Sequence, residues 1–188
     1  MDQGTSATEG DARPSVAVFD IDGVLADVRH RLHHVAARPK DWDAFFGEAP
    51  RDPPLAEGIG AVAEAARGGH IVMYLTGRPE RCRRDTLDWL AAQGLPRGEL
   101  HMRDDTDRRP ARITKVATLR RLSRRFRVEA FVDDDAAVVQ AVRQAGFPVL
   151  HAQWMLTSTS GADSAPGAAD TPSAQEVLFE IQEDEGRT

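Results

Sequence analysis

Short apolar runs alternate along the chain with segments of helical periodicity, and this alternation restricts the fold more than any other feature. Each run is bounded by turn or charged residues, as strands buried on both faces of a parallel sheet are. Strands that alternate with helices form βαβ units with right-handed crossovers. The sequence therefore predicts a three-layer α/β domain with a central parallel sheet, whose strands are Val16–Phe19, Ile71–Leu75, Ala130–Val132 and Val149–Leu150, with a weaker fifth at Leu100–Met102.

The segments between the runs carry apolar residues at the spacing of one helix face. Two of these segments end at Gly94 and Gly146, and glycine is the residue that most often follows the last helical turn in a left-handed conformation. The predicted buried faces are Ile59, Val62, Ala63 and Ala66; Leu87, Leu90 and Ala91; Val116, Leu119, Leu122 and Phe126; and Val138, Val139 and Val142.

The 188 residues fit one domain with attached ends, and we place that domain at residues 15–156. Residues 1–14 are polar, carry no signal-peptide segment and are expected to be a disordered N-terminus. Residues 157–172 consist only of Thr, Ser, Gly, Ala, Asp and Pro, a composition that predicts a flexible linker. Residues 173–188 begin with a serine and a glutamate at capping-box spacing, so a short C-terminal helix is expected there.

Composition limits the compartment and the partners. The net charge of −6 argues against a chain that binds polyanions as a whole, although most of the basic residues lie between Arg67 and Arg127. No apolar stretch is long enough to span a membrane. Cys82 is the single cysteine, so no internal disulfide can form and a cytoplasmic location is expected. Lys40 and Lys115 are the only lysines in an arginine-rich chain, which suggests that a retained lysine serves a specific purpose.

Residues 28–57 separate the first strand from its helix by more than a plain βα loop needs. We predict a small helical cap insertion over the strand ends, where lids and substrate-recognition elements are often found. Its aromatic residues Trp42, Phe45 and Phe46 are interpreted as the insertion's own small core, with base stacking as the alternative. Three histidines in the insertion could ligate zinc, but no cysteine accompanies them and the neighbouring site is rich in oxygen ligands.

Polar side chains follow three of the predicted strands at the point where each strand ends, and in an open parallel sheet ligands bind at this edge. Adjacent carboxylates raise each other's pKa unless a cation lies between them. Carboxylates, a hydroxyl and a lysine suit a divalent cation with a phosphoryl group, because Mg²⁺ takes oxygen ligands. The residues that meet at this edge are Asp20 and Asp22; Thr76, Gly77 and Arg78; Asp133, Asp134 and Asp135; and Lys115 from the helix before the fourth strand.

The order "FDIDGVLAD", "YLTGRP", Lys115 and "FVDDD" resembles the haloacid dehalogenase (HAD) superfamily, whose motifs are D-x-D-G, a Ser or Thr after strand two, a lysine and a terminal acidic pair. The resemblance extends from Val16 to about His151 and implies a Rossmann-like domain. An acid at Asp22 implies a phosphatase, phosphomutase or transport ATPase rather than a dehalogenase. An ATPase would need membrane spans, which the sequence lacks.

The same resemblance implies a Mg²⁺-dependent reaction through an aspartyl-phosphate. Asp20 would be the nucleophile, and Asp22 would protonate the leaving oxygen and later take the proton from water. Thr76 would donate to a phosphoryl oxygen, and Lys115 would bridge the phosphate and the nucleophile. The implied metal ligands are Asp20, the backbone carbonyl of Asp22, and Asp134 with Asp133 in support.

A narrower resemblance is to the phosphatase domain of polynucleotide kinase-phosphatases, carried by "RCRRDTLDWL", "LHMRDDTDRR" and "VDDDAAVVQAVRQAG". It implies that Arg31 and the Gly77–Arg78 pair bind the phosphate of the substrate. The family often carries an aspartate four residues before the lysine, where this sequence has Ala111, so Lys115 must be oriented in another way. No G-x-x-x-x-G-K-[ST] motif occurs, so a kinase half is not expected in this chain.

The predicted function is a Mg²⁺-dependent phosphomonoesterase acting on a phosphorylated substrate, with a polynucleotide or nucleotide 3′-phosphate end as the candidate. A path for a nucleic-acid strand could be lined by the arginines at positions 78, 81, 84, 103, 108, 109 and 112. Two alternatives stay open. One is a phosphatase of small metabolites, which a well-closed insertion would favour. The other is a non-catalytic adaptor, which would have no need of the full set of site residues.

Overall fold

The computed structural model describes residues 11–36 and 38–157. Its strands are β1 (Ser15–Phe19), β2 (Ile71–Pro79), β3 (Leu100–Arg103), β4 (Arg127–Asp133) and β5 (Val149–His151). They form a five-stranded sheet in the order β3–β2–β1–β4–β5, and every neighbouring pair is parallel. The predicted α/β class and its parallel sheet are therefore confirmed. Residues 1–10, most of the predicted linker and the predicted C-terminal helix lie outside the described residues.

Helices connect the strands and cover the sheet. The described ranges contain α1 (His33–Ala36), α2 (Trp42–Gly47), α3 (Ala56–Arg67), α4 (Arg83–Ala92), α5 (Ala111–Leu122), α6 (Ala136–Gln144) and α7 (Trp154–Thr157). None of these helices is long and apolar enough to cross a membrane.

The two faces of the sheet pack against different helices, and β1 shows this most clearly. Its side chains alternate between the faces, as the pleat of a strand requires. Ala17 and Phe19 join the core that contains residues of α3 and α4, whereas Val16 and Val18 join the core that contains residues of α5 and α6. All four residues are buried. The domain thus has the three predicted layers, and its central strand leads directly into the first acidic motif.

Helix α4 buries a face different from the predicted one. Leu87 is 43% exposed, whereas Thr86 and Trp89 are buried beside Leu90. The indole Nε1 of Trp89 donates to the backbone carbonyl of Asp52 at 2.8 Å. The prediction was wrong at Leu87 and Ala91, and it was also wrong at Ala63 and Ala66 of α3, since all four are exposed. In α4 the reason is that the prediction followed aliphatic residues alone, whereas the largest buried side chain of this helix is a tryptophan that reaches the insertion.

Strand β5 is less buried than a strand covered on both faces. Leu150 is 51% exposed, and Val149 and His151 are only partly buried. The reason is the position of β5 at the edge of the sheet, where it pairs with β4 alone. The strand was correctly predicted, but its apolar residues did not reveal that it lies at an edge.

The segment between β1 and α3 is a small helical unit, as predicted. It contains α1, α2 and two short 3₁₀ turns, Arg29–Arg31 and Ala49–Arg51. Phe45 is buried in a separate apolar cluster with Val28, Leu32, Val35, Leu55 and Met155, and Trp42 and Phe46 pack against that cluster. The aromatic residues therefore do form a small core for the insertion. Only Phe45 is fully enclosed in it, since Trp42 and Phe46 keep partly exposed surfaces.

Candidate active site

The carboxyl ends of β1, β2 and β4 bring most of the sequence-predicted polar residues to one edge of the sheet. Asp20 follows β1, Thr76 and Arg78 lie in the last part of β2, and Asp133 ends β4. Lys115 joins them from the second turn of α5. All five side chains are buried although all are polar. Burying so many polar groups costs free energy unless they form hydrogen bonds or ion pairs with one another or with a ligand.

Three carboxylates form the centre of the site. Asp20, Asp133 and Asp134 each offer an oxygen, and these oxygens lie within 4.8 Å of one another. Lys115 Nζ donates to Asp20 Oδ2 at 2.6 Å and to Asp133 Oδ2 at 2.7 Å. Three carboxylates and one ammonium leave two negative charges in excess, so a divalent cation would neutralise the cluster. The residues therefore fit Mg²⁺, which prefers carboxylate oxygens and keeps some of its waters.

The pKa values of the cluster report the same excess of negative charge. Burial raises the pKa of the Asp20 and Asp134 carboxyls above their usual range, and the pKa of Asp133 to about 7. Burial alone would lower the pKa of Lys115, but the nearby Asp133 and Asp20 charges raise it above its usual range. The lysine is thus held as an ammonium. Its single positive charge does not balance the negative charges of the three carboxylates.

Asp133 is held by donors on both of its oxygens. Asp133 Oδ2 accepts from Lys115, and Asp133 Oδ1 accepts from the backbone N–H of Asp135 at 3.0 Å. Asp135 in turn caps α6, accepting from the backbone N–H groups of Ala137 and Val138. Both oxygens of Asp133 thus have protein donors, which suits Asp133 to a supporting place beside a cation.

Position 23 requires glycine because its backbone lies very close to the carboxylate of Asp134. Gly23 has a φ of +75°, and a Cβ at this position would lie 2.0 Å from Oδ2 of Asp134. Only glycine has both the positive φ and the free space. The turn after β1 can therefore come directly against the carboxylate that follows β4.

Asp22 contacts two buried arginines and is not one of the three carboxylates of the cluster. Its Oδ1 accepts from Arg31 Nη2 at 2.7 Å, from Arg78 Nε at 2.9 Å and from Arg78 Nη2 at 2.5 Å. Burial alone would raise the pKa of Asp22, but Arg31 and Arg78 outweigh it and lower the pKa to about 2. Both predicted phosphate-binding arginines thus lie in the site, and each is engaged with the acid that follows the nucleophile candidate.

Asp52 is a site residue that the sequence reasoning missed. Its side chain is fully buried, and it accepts from Arg31 Nε at 2.7 Å, Arg31 Nη2 at 2.8 Å and Arg78 Nη2 at 2.8 Å. His30 Nε2 lies 2.8 Å from Asp52 Oδ1. Asp52 belongs to no strand end and no motif. The sequence carried no direct signal for it, because the need for a second counter-charge appears only when Arg31 and Arg78 are seen to be buried together.

Thr76 and Gly77 lie at the end of β2 beside this arginine pair. The Thr76 hydroxyl accepts from the backbone N–H of Arg78 at 3.1 Å, so its own hydrogen is free in direction. Thr76 is buried, whereas Gly77 is partly exposed and lines a cavity. Gly77 therefore borders the cavity, whereas Thr76 is enclosed beside it in β2.

A cavity of about 550 Å³ opens next to the strand ends, between the insertion and the loop that follows β3. Trp42 and Phe46 lie on one side of it, with their rings stacked at 22° and a centroid distance of 5.8 Å. The remaining lining includes five cations and three acids: Arg38, Lys40, Arg81, Arg103 and Arg108, with Asp104, Asp105 and Asp107. Cations thus exceed acids by two.

Only some arginines of the predicted nucleic-acid path line the cavity. Arg81, Arg103 and Arg108 line the cavity, whereas Arg78 is buried in the pair described above. Arg84 is exposed on α4 and lies 3.9 Å from Asp88. Arg78, Arg84, Arg109 and Arg112 are therefore not among the residues that line this cavity. The histidines of the insertion also form no metal site, because the group of metal-capable residues found in the described ranges is Asp20, Asp133 and Asp134.

The parallel three-layer fold, the strand-end carboxylates and the buried lysine define the class, which is that of the HAD phosphatases, enzymes that hydrolyse phosphate monoesters. The model of the family described as "Polynucleotide kinase PNKP phosphatase domain" matches residues 14–154. This chain belongs to that family.

Solved structures agree with the assignment. A chain from the "Pnkp1/Rnl/Hen1 RNA repair complex" is 26% identical with a TM-score of 0.64, covering 78% of this chain and 45% of that one. A chain from a Pnkp1/Rnl/Hen1 complex is 24% identical, with a TM-score of 0.62 and coverages of 74% and 45%. This chain therefore spans less than half the length of either.

The fold is also shared with a class C acid phosphatase from Bacillus anthracis with tungstate bound. That structure is 16% identical, with a TM-score of 0.57 and coverages of 82% of this chain and 76% of that one. Comparison with curated protein sequences returns no match.

Proposed function

We propose that this domain is a Mg²⁺-dependent phosphomonoesterase that works through an aspartyl-phosphate on Asp20 and acts on the 3′-phosphate end of a polynucleotide. The observation that carries the proposal is the buried cluster around Asp20, in which three carboxylates meet one lysine. Its excess of two negative charges calls for a divalent cation, and its lysine holds the nucleophile candidate in place.

The protein groups have distinct tasks in this reaction. Asp20 attacks the phosphorus atom and displaces the leaving oxygen, which takes a proton from Asp22. Asp22 can carry that proton once the bound phosphoryl group shares Arg31 and Arg78 with it and adds its own negative charge, because these two arginines are what lowers the pKa of Asp22. Water then attacks the aspartyl-phosphate, gives its proton to Asp22 and releases inorganic phosphate and free Asp20. Lys115 and Thr76 hold phosphoryl oxygens during both steps. Asp20, Asp134 and the carbonyl of Asp22, with Asp133 in support, would hold Mg²⁺, which would neutralise charge between the attacking carboxylate and the phosphate.

The residues that line the cavity are evidence that the leaving group is the end of a nucleic acid. Trp42 and Phe46 offer aromatic surface beside Gly77, and bases stack on aromatic side chains without sequence preference. The arginines and the lysine around these rings can contact backbone phosphates. The family match and the likeness to chains from Pnkp1/Rnl/Hen1 complexes favour the same substrate class.

A phosphatase of small metabolites is the second candidate. Its support is the size of the cavity, about 550 Å³, which lies within the range of small-molecule sites, and the three acids in its lining, which repel a polyanion. The adaptor hypothesis has no comparable support, because the chain belongs to a phosphatase family and keeps Asp20, Asp22, Thr76, Lys115 and Asp134.

The test is a phosphatase panel in Mg²⁺ with KM measured over a salt series. The substrates are a 3′-phosphorylated oligonucleotide, the matching 3′-mononucleotide and a sugar phosphate. For a polynucleotide enzyme, KM of the oligonucleotide rises steeply with salt because counterions are released on binding, and KM of the mononucleotide changes far less. Equal slopes, or a preference for the mononucleotide or the sugar phosphate, would favour the small-metabolite enzyme.

We also place the protein in the cytoplasm. The support for this is its single cysteine, Cys82, which is typical of chains kept in a reducing compartment.

A further inference from the structure

We propose that Asp52 is a positioning residue that holds the guanidinium groups of Arg31 and Arg78 in the orientation that the reaction needs. The proposal rests on the proposed function, in which these arginines support the phosphoryl group. It assigns a task to the insertion as well, because Asp52 lies near the end of that segment and Arg31 near its beginning.

The contacts of Asp52 use both of its oxygens. Oδ1 accepts from Arg31 Nε, and Oδ2 accepts from Arg31 Nη2 and Arg78 Nη2, all at 2.7–2.8 Å. The contact with Arg31 is therefore bidentate, a geometry that fixes the plane of a guanidinium as well as its position. The contact with Arg78 ties the second guanidinium to the same carboxylate.

Asp22 lies on the other side of the two arginines. Arg31 Nη2 and Arg78 Nη2 each donate to Asp22 Oδ1 as well as to Asp52 Oδ2. The side chain of Asp22 keeps 19% of its surface exposed, whereas that of Asp52 is fully buried. A phosphoryl group can therefore approach the arginines from the side of Asp22 but not from the side of Asp52. Asp52 is the fixed partner, and Asp22 is the partner at the reacting side.

The positive charges of Arg31 and Arg78 make the negative charge of Asp52 necessary. Arg31 and Arg78 are both buried and their guanidiniums contact the same carboxylates, so they would repel each other with only one counter-charge. Asp22 and Asp52 together balance them. Without Asp52, the two guanidiniums would compete for Asp22 or turn towards other acceptors, because a buried charge needs a partner.

The backbone of Asp52 is anchored on a neighbouring helix. Its carbonyl accepts from Trp89 Nε1 of α4 at 2.8 Å, and its N–H donates to the carbonyl of Ala49 at 3.2 Å. Arg31 is fixed independently, with its guanidinium carbon 4.1 Å from the ring centroid of Phe45. These contacts make the insertion a fixed part of the site, since its displacement would break the bonds that hold both arginines.

The experiment compares Asp52→Asn, Arg31→Gln and the double variant with the wild type. Affinity for inorganic phosphate is measured by calorimetry in Mg²⁺, and kcat and KM are measured with p-nitrophenyl phosphate well below the melting temperature. Asp52→Asn removes the charge but keeps one acceptor oxygen. We expect phosphate affinity to fall and KM to rise on the order of 10- to 100-fold, the range for lost charge-assisted hydrogen bonds. In the Arg31→Gln background the same change should cost much less.

A purely structural role would give a different pattern. Loss of folded protein would lower the apparent kcat in proportion to the active fraction and leave KM and phosphate affinity unchanged. That result, or equal effects of Asp52→Asn in both backgrounds, would overturn the proposal. Asp88→Asn is the matched control, because Asp88 is an exposed acid on α4 and its loss should change none of these quantities.

Asp52→Glu keeps the test decisive if Asp52→Asn does not fold. It retains the negative charge that the arginines need but moves the carboxylate by one methylene. We expect a folded protein with phosphate affinity weakened at least about 5-fold, because the guanidiniums are displaced. Unchanged affinity would overturn the proposal. Calorimetry needs no turnover, so a wild type that binds phosphate but hydrolyses no monoester would refute the proposed function while leaving this comparison intact.

Discussion

Lys115 donates from Nζ to Oδ2 of Asp133 at 2.7 Å, and this bond orients the lysine of the site. The resemblance to polynucleotide phosphatases leads one to expect an aspartate four residues before the lysine, but Ala111 stands there and is buried. Asp133 provides the missing acceptor from the end of β4. The lysine is thus held between Asp133 and Asp20 without help from its own helix.

Asp133→Asn should therefore impair turnover more than stability. Loss of a charge-assisted bond to Lys115 leaves the ammonium less well oriented, and we expect kcat to fall about 10- to 100-fold. Asp135→Asn is the control, because asparagine also caps helices well and should leave kcat within a few-fold of wild type. Steady-state kinetics with thermal melts check both variants. Equal losses in the two would show that Asp133 has no special connection with the lysine.

The proposed role of Asp22 as a proton donor can be distinguished from its role in packing. The comparison uses two substrates whose leaving groups differ in their need for a proton. Asp22→Asn removes the proton donor, so hydrolysis of an alkyl phosphate should slow by about 10²- to 10⁴-fold. Release of p-nitrophenol in the first turnover should suffer much less, because this leaving group needs no proton, whereas the later hydrolysis of the aspartyl-phosphate needs Asp22 with either substrate; both losses are therefore measured on the first turnover. The ratio of the two losses is the measurement, and it is insensitive to the amount of folded enzyme. Equal losses would contradict general acid catalysis by Asp22.

The excess negative charge of the three-carboxylate cluster makes metal dependence testable by stability as well as by activity. Chelation with EDTA should abolish turnover, and Mg²⁺ or Mn²⁺ should restore it. Mg²⁺ should also raise the melting temperature of the wild type, since a ligand stabilises the state that binds it. Asp134→Asn should diminish that rise and increase the Mg²⁺ concentration needed for activity. Full activity in chelator would point to a metal-free reaction.

The sequence predicted the strand-end residues because topology alone brings them together. Asp20, Thr76 and Asp133 each follow or end an apolar run, and in a parallel sheet those ends share one edge. Asp52 was beyond reach because it lies in an irregular insertion, where no periodicity tells which side chains turn inwards. Leu87 was misplaced for a related reason, since Trp89 and its contact with the insertion decide which side of α4 is buried.

Trp42 should influence the choice of substrate without being needed for the chemistry. Trp42→Ala should raise KM for a 3′-phosphorylated oligonucleotide about 5- to 100-fold, the range for a lost base-stacking contact, and leave KM for an alkyl phosphate nearly unchanged. Val35→Ala is the comparison, because Val35 is enclosed in the core of the insertion and its change should lower the melting temperature instead. Parallel effects of Trp42→Ala on both substrates would argue against stacking in the cavity.

The most direct test of the account is to trap the covalent intermediate and locate it. The Asp22→Asn enzyme is mixed with p-nitrophenyl phosphate and Mg²⁺ and treated with borohydride, which reduces an aspartyl-phosphate to homoserine, and mass spectrometry of the peptides finds the changed residue. We predict homoserine at position 20 and nowhere else, together with a folded but inactive Asp20→Asn variant. Reduction at another residue, or an Asp20→Asn enzyme that retains half of the wild-type turnover, would contradict the assignment of Asp20 as the nucleophile.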